Sequence, residues 1–182
     1  MRFYIRRLRL FEFCALLVYI FEAFASVDES FRHCKYSAPN RLSASQKYEL
    51  CNNRSRESTR FIVSCAQKSV KALSPGNTVK LCKNSTTSDM PGRCASHLAI
   101  GKAIPEQDIL QLCLKSKSIW PAICFKSVFK IAKIRVKNVS QRAVLSRQIC
   151  KTAVNDDQES CVLKSPRSLS FSQVAGLCKD GK

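Results

Sequence analysis

Apolar residues recur at the spacing of an amphipathic helix along much of this chain. The clearest face follows positions i, i+3, i+4, i+7, i+8 and i+11, which are occupied by Ile62, Cys65, Ala66, Ser69, Val70 and Leu73. Two other segments open with a serine that is followed three positions later by a glutamine. These pairs, Ser43 with Gln46 and Ser170 with Gln173, have the pattern of a helix capping box. The chain is therefore predicted to form several short helices.

Prolines give further signals for where these helices begin and end. Four of them stand at positions where the first turn of a helix tolerates proline: Pro75, Pro91, Pro105 and Pro121. Pro39 and Pro166 each lie five residues after a cysteine, where they would interrupt a helix. The 182 residues contain only 5 glycines and 6 prolines, which disfavours a turn-rich β-sandwich.

The first 25 residues have the organisation of a secretory signal peptide. Residues 1–10 carry four arginines and no acid, residues 11–24 are largely apolar, and Ala23 and Ala25 supply small residues for cleavage. An uncleaved membrane anchor is the alternative, but Glu12 and Glu22 interrupt the short apolar run. We therefore expect residues 1–25 to be removed and residues 26–182 to be secreted, or to lie in the lumen of the secretory pathway.

The ten cysteines of residues 26–182 are spaced as a repeat. Their successive separations are 17, 14, 17, 12, 19, 11, 26, 11 and 17 residues, so that long and short steps alternate strictly. This alternation predicts a single cysteine-rich domain of five units, which span about residues 31–58, 62–90, 91–120, 121–157 and 158–182. The expected fold is all-α: five tandem, disulfide-stapled helical hairpins, forming a short α-solenoid or a compact helical array.

The hairpin arrangement also suggests how the cysteines pair. An even number of cysteines in a secreted chain indicates a disulfide framework. In an antiparallel hairpin the start of the first helix lies beside the end of the second, so we expect the two cysteines of each unit to pair. The predicted bridges are Cys34–Cys51, Cys65–Cys82, Cys94–Cys113, Cys124–Cys150 and Cys161–Cys178. The alternative joins neighbouring units, as in Cys51–Cys65, and would leave Cys34 and Cys178 unpaired or force them to pair with each other.

The chain is strongly basic, and one part of it carries no acid. Its 31 Lys and Arg outnumber its 13 Asp and Glu, for a net charge of +18. Ten basic residues and no acidic residue lie between Asp108 and Asp156. Within this stretch, one predicted helical face is apolar and another is basic. The candidate polyanion-binding residues are Lys126, Lys130, Lys133, Arg135 and Lys137. The alternative is that they form only the solvated face of a packed helix.

Three Asn-x-Ser/Thr motifs are candidate N-glycosylation sites in a secreted protein: Asn53, Asn84 and Asn138. Asn53 and Asn84 occupy the same position in the repeat, two residues after the second cysteine of a unit. This position is expected to lie in an exposed loop between units. Chance occurrence of a three-residue motif remains the alternative for each site.

Other kinds of chemistry have little support in the sequence. There is no Cys-x2-Cys pair and there are only two histidines, so we expect no zinc site and no other metal or cofactor. No Gly-x-Ser-x-Gly, His-Glu-x-x-His or glycine-rich phosphate loop is present, and we do not expect an enzyme. Nucleic acid is disfavoured as a partner by the secretory signal.

These observations favour a secreted, basic interaction protein. Its expected partners are an anionic polysaccharide, an anionic membrane or an acidic protein, because a large positive charge attracts polyanions in general. One alternative function is a structural protein of an extracellular matrix or coat. Another is a membrane-active protein that acts through its fourth unit.

Overall fold

The computed structural model describes residues 29–52, 54–99 and 104–179. In these residues the chain is all-helical, as predicted, with ten α-helices, one 3-10 helix and no strand. The predicted signal peptide, residues 1–25, lies outside the described residues. The helices are α1 (29–37), α2 (Ala44–Cys51), α3 (Arg56–Ser69), α4 (Pro75–Cys82), α5 (Met90–Leu98), α6 (Glu106–Cys113), α7 (Trp120–Ile131), α8 (Val139–Cys150), α9 (Asp157–Lys164) and α10 (Phe171–Cys178). The 3-10 helix, Ala132–Ile134, follows α7.

Local sequence signals account for several helix ends. Both predicted capping boxes are present, because Ser43 and Ser170 each accept a hydrogen bond from the backbone N–H three residues later. The side chains of Gln46 and Gln173 in turn accept from the serine N–H groups, at 2.9 and 2.8 Å. These reciprocal bonds satisfy N–H groups that would otherwise have no partner at the start of a helix.

The prolines act largely as predicted. Pro75, Pro91 and Pro121 lie in the first turns of α4, α5 and α7. Helices α1 and α9 both end before the proline that follows them. Pro105 differs from the prediction, because it is the N-cap residue of α6 and stands just outside the first turn.

Five disulfide bonds join consecutive helices, and all five predicted pairings are confirmed. The bonds are Cys34–Cys51, Cys65–Cys82, Cys94–Cys113, Cys124–Cys150 and Cys161–Cys178, and they join α1 to α2, α3 to α4, α5 to α6, α7 to α8 and α9 to α10. Nine of the ten cysteines are buried, and Cys161 is half-buried. The bridges therefore lie within the hydrophobic core.

The helices pack in two layers. Among the odd-numbered helices, α3 contacts α5, α5 contacts α7, and α7 contacts α9. The even-numbered helices α2, α4, α6, α8 and α10 contact one another in the same sequential way. The core lies between the layers and contains Leu50, Ile62, Leu81, Leu98 and Phe125, each no more than 1% exposed. No helix of the described residues is long and apolar enough to span a bilayer.

A nearly buried carboxylate, Asp89, connects α3 to the start of α5. The hydroxyl of Ser64 donates to Asp89 Oδ2 at 2.6 Å, the ammonium of Lys68 contacts the same oxygen, and Arg93 Nε donates to Oδ1 at 2.9 Å. Burial raises the pKa of Asp89, but the hydrogen bonds from Lys68, Ser64 and Arg93 outweigh it. They and the charge of Lys68 lower the pKa from 3.8 to about 2. The ionised form of Asp89 thus stabilises the folded chain.

Replacing this carboxylate is expected to make stability less dependent on pH. Because the pKa of Asp89 is lower in the folded state, its stabilisation is present above about pH 4 and is lost as the pH falls towards 2. We expect Asp89→Asn to lower the free energy of unfolding by about 1–2 kcal/mol at pH 7 and to have little effect near pH 2. Urea unfolding followed by circular dichroism measures both values.

The matched control is Asp156→Asn. Asp156 is the N-cap residue of α9, as Asp89 is of α5, and neither side chain makes a capping hydrogen bond, but Asp156 is exposed and forms no ion pair with a described residue. We expect this variant to unfold like the unmodified chain at both pH values. A loss of stability in Asp89→Asn that stayed constant from pH 7 to pH 2 would contradict the role of the ionised carboxylate.

Candidate anion-binding site

Helix α7 separates an apolar face from a basic face, as its sequence predicts. Phe125 and Val128 are fully buried, and Phe129 is partly buried against the core. The rings of Phe125 and Phe129 are stacked with centroids 5.6 Å apart. Lys126 and Lys130, one turn apart, are both exposed. Core packing of the phenylalanines therefore holds these two ammonium groups on the outside.

The predicted basic face does not continue along one helix to Lys137. Helix α7 ends at Ile131, Lys133 lies in the 3-10 helix, and Lys137 lies beyond it, one residue before the N-cap Asn138 of α8. The turn closes through hydrogen bonds from the N–H groups of Arg135 and Val136 to the carbonyl of Ala132, at 3.0 and 2.8 Å. The β-branched residues in this segment disfavour a longer helix, and buried Val136 anchors the turn.

Among the predicted binding residues, the structure distinguishes the four lysines from Arg135. Lys126, Lys130, Lys133 and Lys137 are exposed, and none forms an ion pair with a described residue. Arg135 is only partly exposed, and its Nη2 donates to the carbonyl oxygen of Ser165 at 3.3 Å. Its Nη1 is buried and lacks a hydrogen-bond partner among the described residues. Arg135 thus links the turn after α7 to the segment that follows α9, whereas the four lysines face solvent.

Two other arginines of the acid-free stretch are structural. The guanidinium of Arg142 is buried over the ring of Phe129, 4.3 Å from its centroid. Arg147 forms an ion pair with Asp108 on α6, with 3.4 Å between Nη1 and Oδ1, and both side chains are largely buried. These two charges are therefore used within the fold.

The neighbours of the turn after α7, residues 132–137, could not be identified from the sequence. Ile134, within the turn, is 90% exposed. The bond from Arg135 to Ser165 places the turn beside the C-terminal end of α9, where Leu163 is 62% exposed and Lys164 and Arg167 are exposed. The sequence did contain one signal for Ile134. This residue lies on neither the predicted apolar face nor the predicted basic face of its segment, and Lys133 and Arg135 flank it.

A groove lies between α1 and α3, apart from the turn after α7. Its volume is about 480 Å³, and Glu29, His33, Arg56, Arg60 and Gln67 contribute to its walls. A histidine commonly activates a nucleophile through hydrogen bonds to a hydroxyl and to a carboxylate. Among the described residues, His33 forms no such hydrogen bond. The described residues also contain no cluster of three His, Cys, Asp or Glu side chains that could hold a metal ion.

Two of the three predicted glycosylation sites can be located. Asn84, after α4, is exposed. Asn138 is exposed as well, and its side-chain oxygen accepts a hydrogen bond from the backbone N–H of Gln141 at 2.9 Å as the N-cap of α8. Asn53 lies outside the described residues. Whether any of the three carries a sugar stays a prediction.

Comparisons with protein-family models, with curated proteins and with solved structures find no match for this chain.

Proposed function

We propose that this chain is a secreted protein of five tandem, disulfide-stapled helical hairpins that binds anionic partners through the basic residues of α7 and of the turn after it. The observation that carries the binding role is a set of four exposed lysines that form no ion pair with any described residue: Lys126, Lys130, Lys133 and Lys137. Unpaired ammonium groups held on a packed scaffold attract anions, and their attraction weakens as salt screens it.

Burial at one repeat position supports the hairpin array. The residue before the second cysteine of a unit is at most 3% exposed in the first four units, where it is Leu50, Leu81, Leu112 or Ile149. In the fifth unit this residue is Leu177, which is 60% exposed. Such a difference is expected if each of the first four units is covered by the unit that follows it.

The disulfides support the proposed location. Five bridges fit a secreted or extracellular protein, because disulfides persist in oxidising compartments and are rare in the cytosol. Secretion would also place the basic surface where anionic polysaccharides, anionic membranes and acidic proteins are met. The predicted signal peptide at residues 1–25 is consistent with this route.

The surroundings of α7 leave its lysines available. The nearest acid along the chain on the N-terminal side, Asp108, is paired with Arg147. On the neighbouring helix α9, Glu159 accepts a hydrogen bond from Ser127. Both carboxylates thus have partners other than the four lysines.

Charge reversal tests the proposal. In the variant Lys126→Glu/Lys130→Glu/Lys133→Glu/Lys137→Glu, we expect binding to immobilised heparin to weaken by at least tenfold at 150 mM salt. The reason is that removing four attractive charges and adding four repulsive ones acts directly at the contact. Elution from heparin in a salt gradient, on full-length chain expressed in eukaryotic cells, provides the measurement.

The control reverses four exposed lysines elsewhere: Lys71, Lys80, Lys115 and Lys151. It makes the same change in net charge but leaves the four lysines of the proposed site unchanged. We therefore expect only a small shift in elution. Equal shifts in both variants would show that net charge alone governs retention, and the proposed site would be wrong. Early elution of the unmodified chain, together with self-association, would instead favour the structural matrix or coat protein.

A further inference from the structure

We propose that the turn after α7 and the C-terminal end of α9 form one surface that binds an anionic lipid membrane, and that Ile134 inserts between the lipid headgroups. This inference rests on the proposed function and deepens it, because it selects the lipid bilayer among the anionic partners. It also adds residues that the basic motif alone does not include. We call the surface the basic-apolar surface, consisting of Lys130, Lys133, Ile134, Lys137, Leu163, Lys164 and Arg167.

Ile134 is the residue that requires an apolar partner. It is 90% exposed, whereas Ala132 and Val136, two residues to either side, are 0% and 8% exposed. The turn is thus anchored by buried residues on both sides of a side chain that projects into solvent. A basic residue lies on each side of Ile134 in sequence, Lys133 and Arg135, and Lys137 follows shortly after.

The second part of the basic-apolar surface comes from α9. The bond between Arg135 Nη2 and the carbonyl oxygen of Ser165 spans 3.3 Å and fixes the turn against this end of the helix. Leu163, 62% exposed, and the exposed Lys164 and Arg167 lie within two residues of Ser165. The surface therefore combines two exposed aliphatic side chains with five basic ones, and it contains no acid.

This combination fits a bilayer better than a polysaccharide. Interfacial membrane binding combines apolar side chains buried at the boundary of headgroups and acyl chains with lysines and arginines that contact anionic lipids. A sulfated polysaccharide would engage the charges but would offer no apolar phase for Ile134. The inserted isoleucine is therefore the feature that separates the two partners.

Vesicle sedimentation tests the inference. Full-length chain is mixed with vesicles of phosphatidylcholine with 30% phosphatidylserine, with vesicles of phosphatidylcholine alone and, separately, with heparin. Of the two kinds of vesicle, we expect binding to the anionic one only, and we expect Ile134→Ser to weaken this binding by about tenfold while heparin binding stays unchanged. The matched control Val154→Ser removes another exposed aliphatic side chain, 72% exposed and located between α8 and α9, and should bind like the unmodified chain.

A gain-of-function variant gives an independent readout. Ile134→Trp should tighten vesicle binding, because tryptophan favours the membrane interface. Unchanged vesicle binding in both Ile134 variants would overturn the inference. So would an equal loss of heparin and vesicle binding in Ile134→Ser, since that would indicate a general effect on the turn. In either case, a selective loss of heparin binding in the fourfold lysine variant would leave the proposed function intact.

Discussion

Gly92→Ala is expected to lower the free energy of unfolding by about 3 kcal/mol or more, because α5 lies against the backbone of α3 at this residue. A Cβ on Gly92 would overlap the carbonyl oxygen of Cys65 and lie 2.6 Å from its Cα. Because these are backbone atoms of helix α3, the overlap cannot be relieved by the rotation of a side chain. The two helices would have to separate, which would disturb the packing around the buried Cys65–Cys82 bridge. Urea unfolding followed by circular dichroism measures the loss.

Gly176→Ala provides the matched control. Gly176 also lies within a helix, α10, but a Cβ there would meet nothing within 4 Å. Alanine forms helices more readily than glycine, so this variant should be more stable by about 0.5–1 kcal/mol. The opposite signs expected for the same substitution separate steric crowding from helix propensity. If Gly92→Ala were as stable as the unmodified chain, the close approach of α3 and α5 would not be a constraint on the fold.

The secondary structure and the disulfide pairing could be predicted because their signals are local or periodic. The alternating cysteine steps identified all five bridges, from Cys34–Cys51 to Cys161–Cys178. The capping boxes at Ser43 and Ser170 located the starts of two helices. Each signal depends on residues a few positions apart, or on a spacing that recurs along the chain.

Contacts between distant segments could not be predicted in the same way. Asp108 and Arg147 are 39 positions apart, and only the packing of α6 against α8 brings them together. Nothing in the sequence around Gly92 indicates that the backbone of α3 lies against this residue. A count of charges along the chain therefore overstated the basic residues that are free to bind, since Arg142 and Arg147 are used inside the fold.

The candidate site likewise has one part that could be predicted from the sequence and one part that could not. Its lysines were predicted from helical spacing, and the structure places all four at the surface. The spacing also predicted one helix through Lys137, but the chain turns after Ile131. That turn exposes Ile134 and meets the end of α9 through Arg135. The apolar part of the site follows from tertiary structure, which a helical projection of residues 125–137 does not contain.

Removing the Cys65–Cys82 bridge is expected to cost about 5 kcal/mol of unfolding free energy in the variant Cys65→Ala/Cys82→Ala. Of this, about 3 kcal/mol comes from the greater entropy of an unfolded chain without the cross-link. The remainder comes from the loss of two fully buried sulfur atoms, which Ser85 and Ser69 approach at 3.5 Å, and from the cavity left behind. Urea unfolding of this variant beside the unmodified chain, both with their other bridges intact, measures the cost.

The Cys161–Cys178 bridge separates these two contributions. It spans the same 17 positions as Cys65–Cys82, so the entropy term is the same for both. Cys161, however, is only half-buried, whereas its partner Cys178 is fully buried, so removing the two sulfur atoms leaves a smaller cavity than at Cys65–Cys82. We therefore expect Cys161→Ala/Cys178→Ala to cost about 4 kcal/mol, between the loop-entropy term alone and the full cost at Cys65–Cys82. Equal losses in the two variants would mean that the bridges stabilise the chain through loop entropy alone, whereas the larger loss at Cys65–Cys82 would show that they also serve as core side chains.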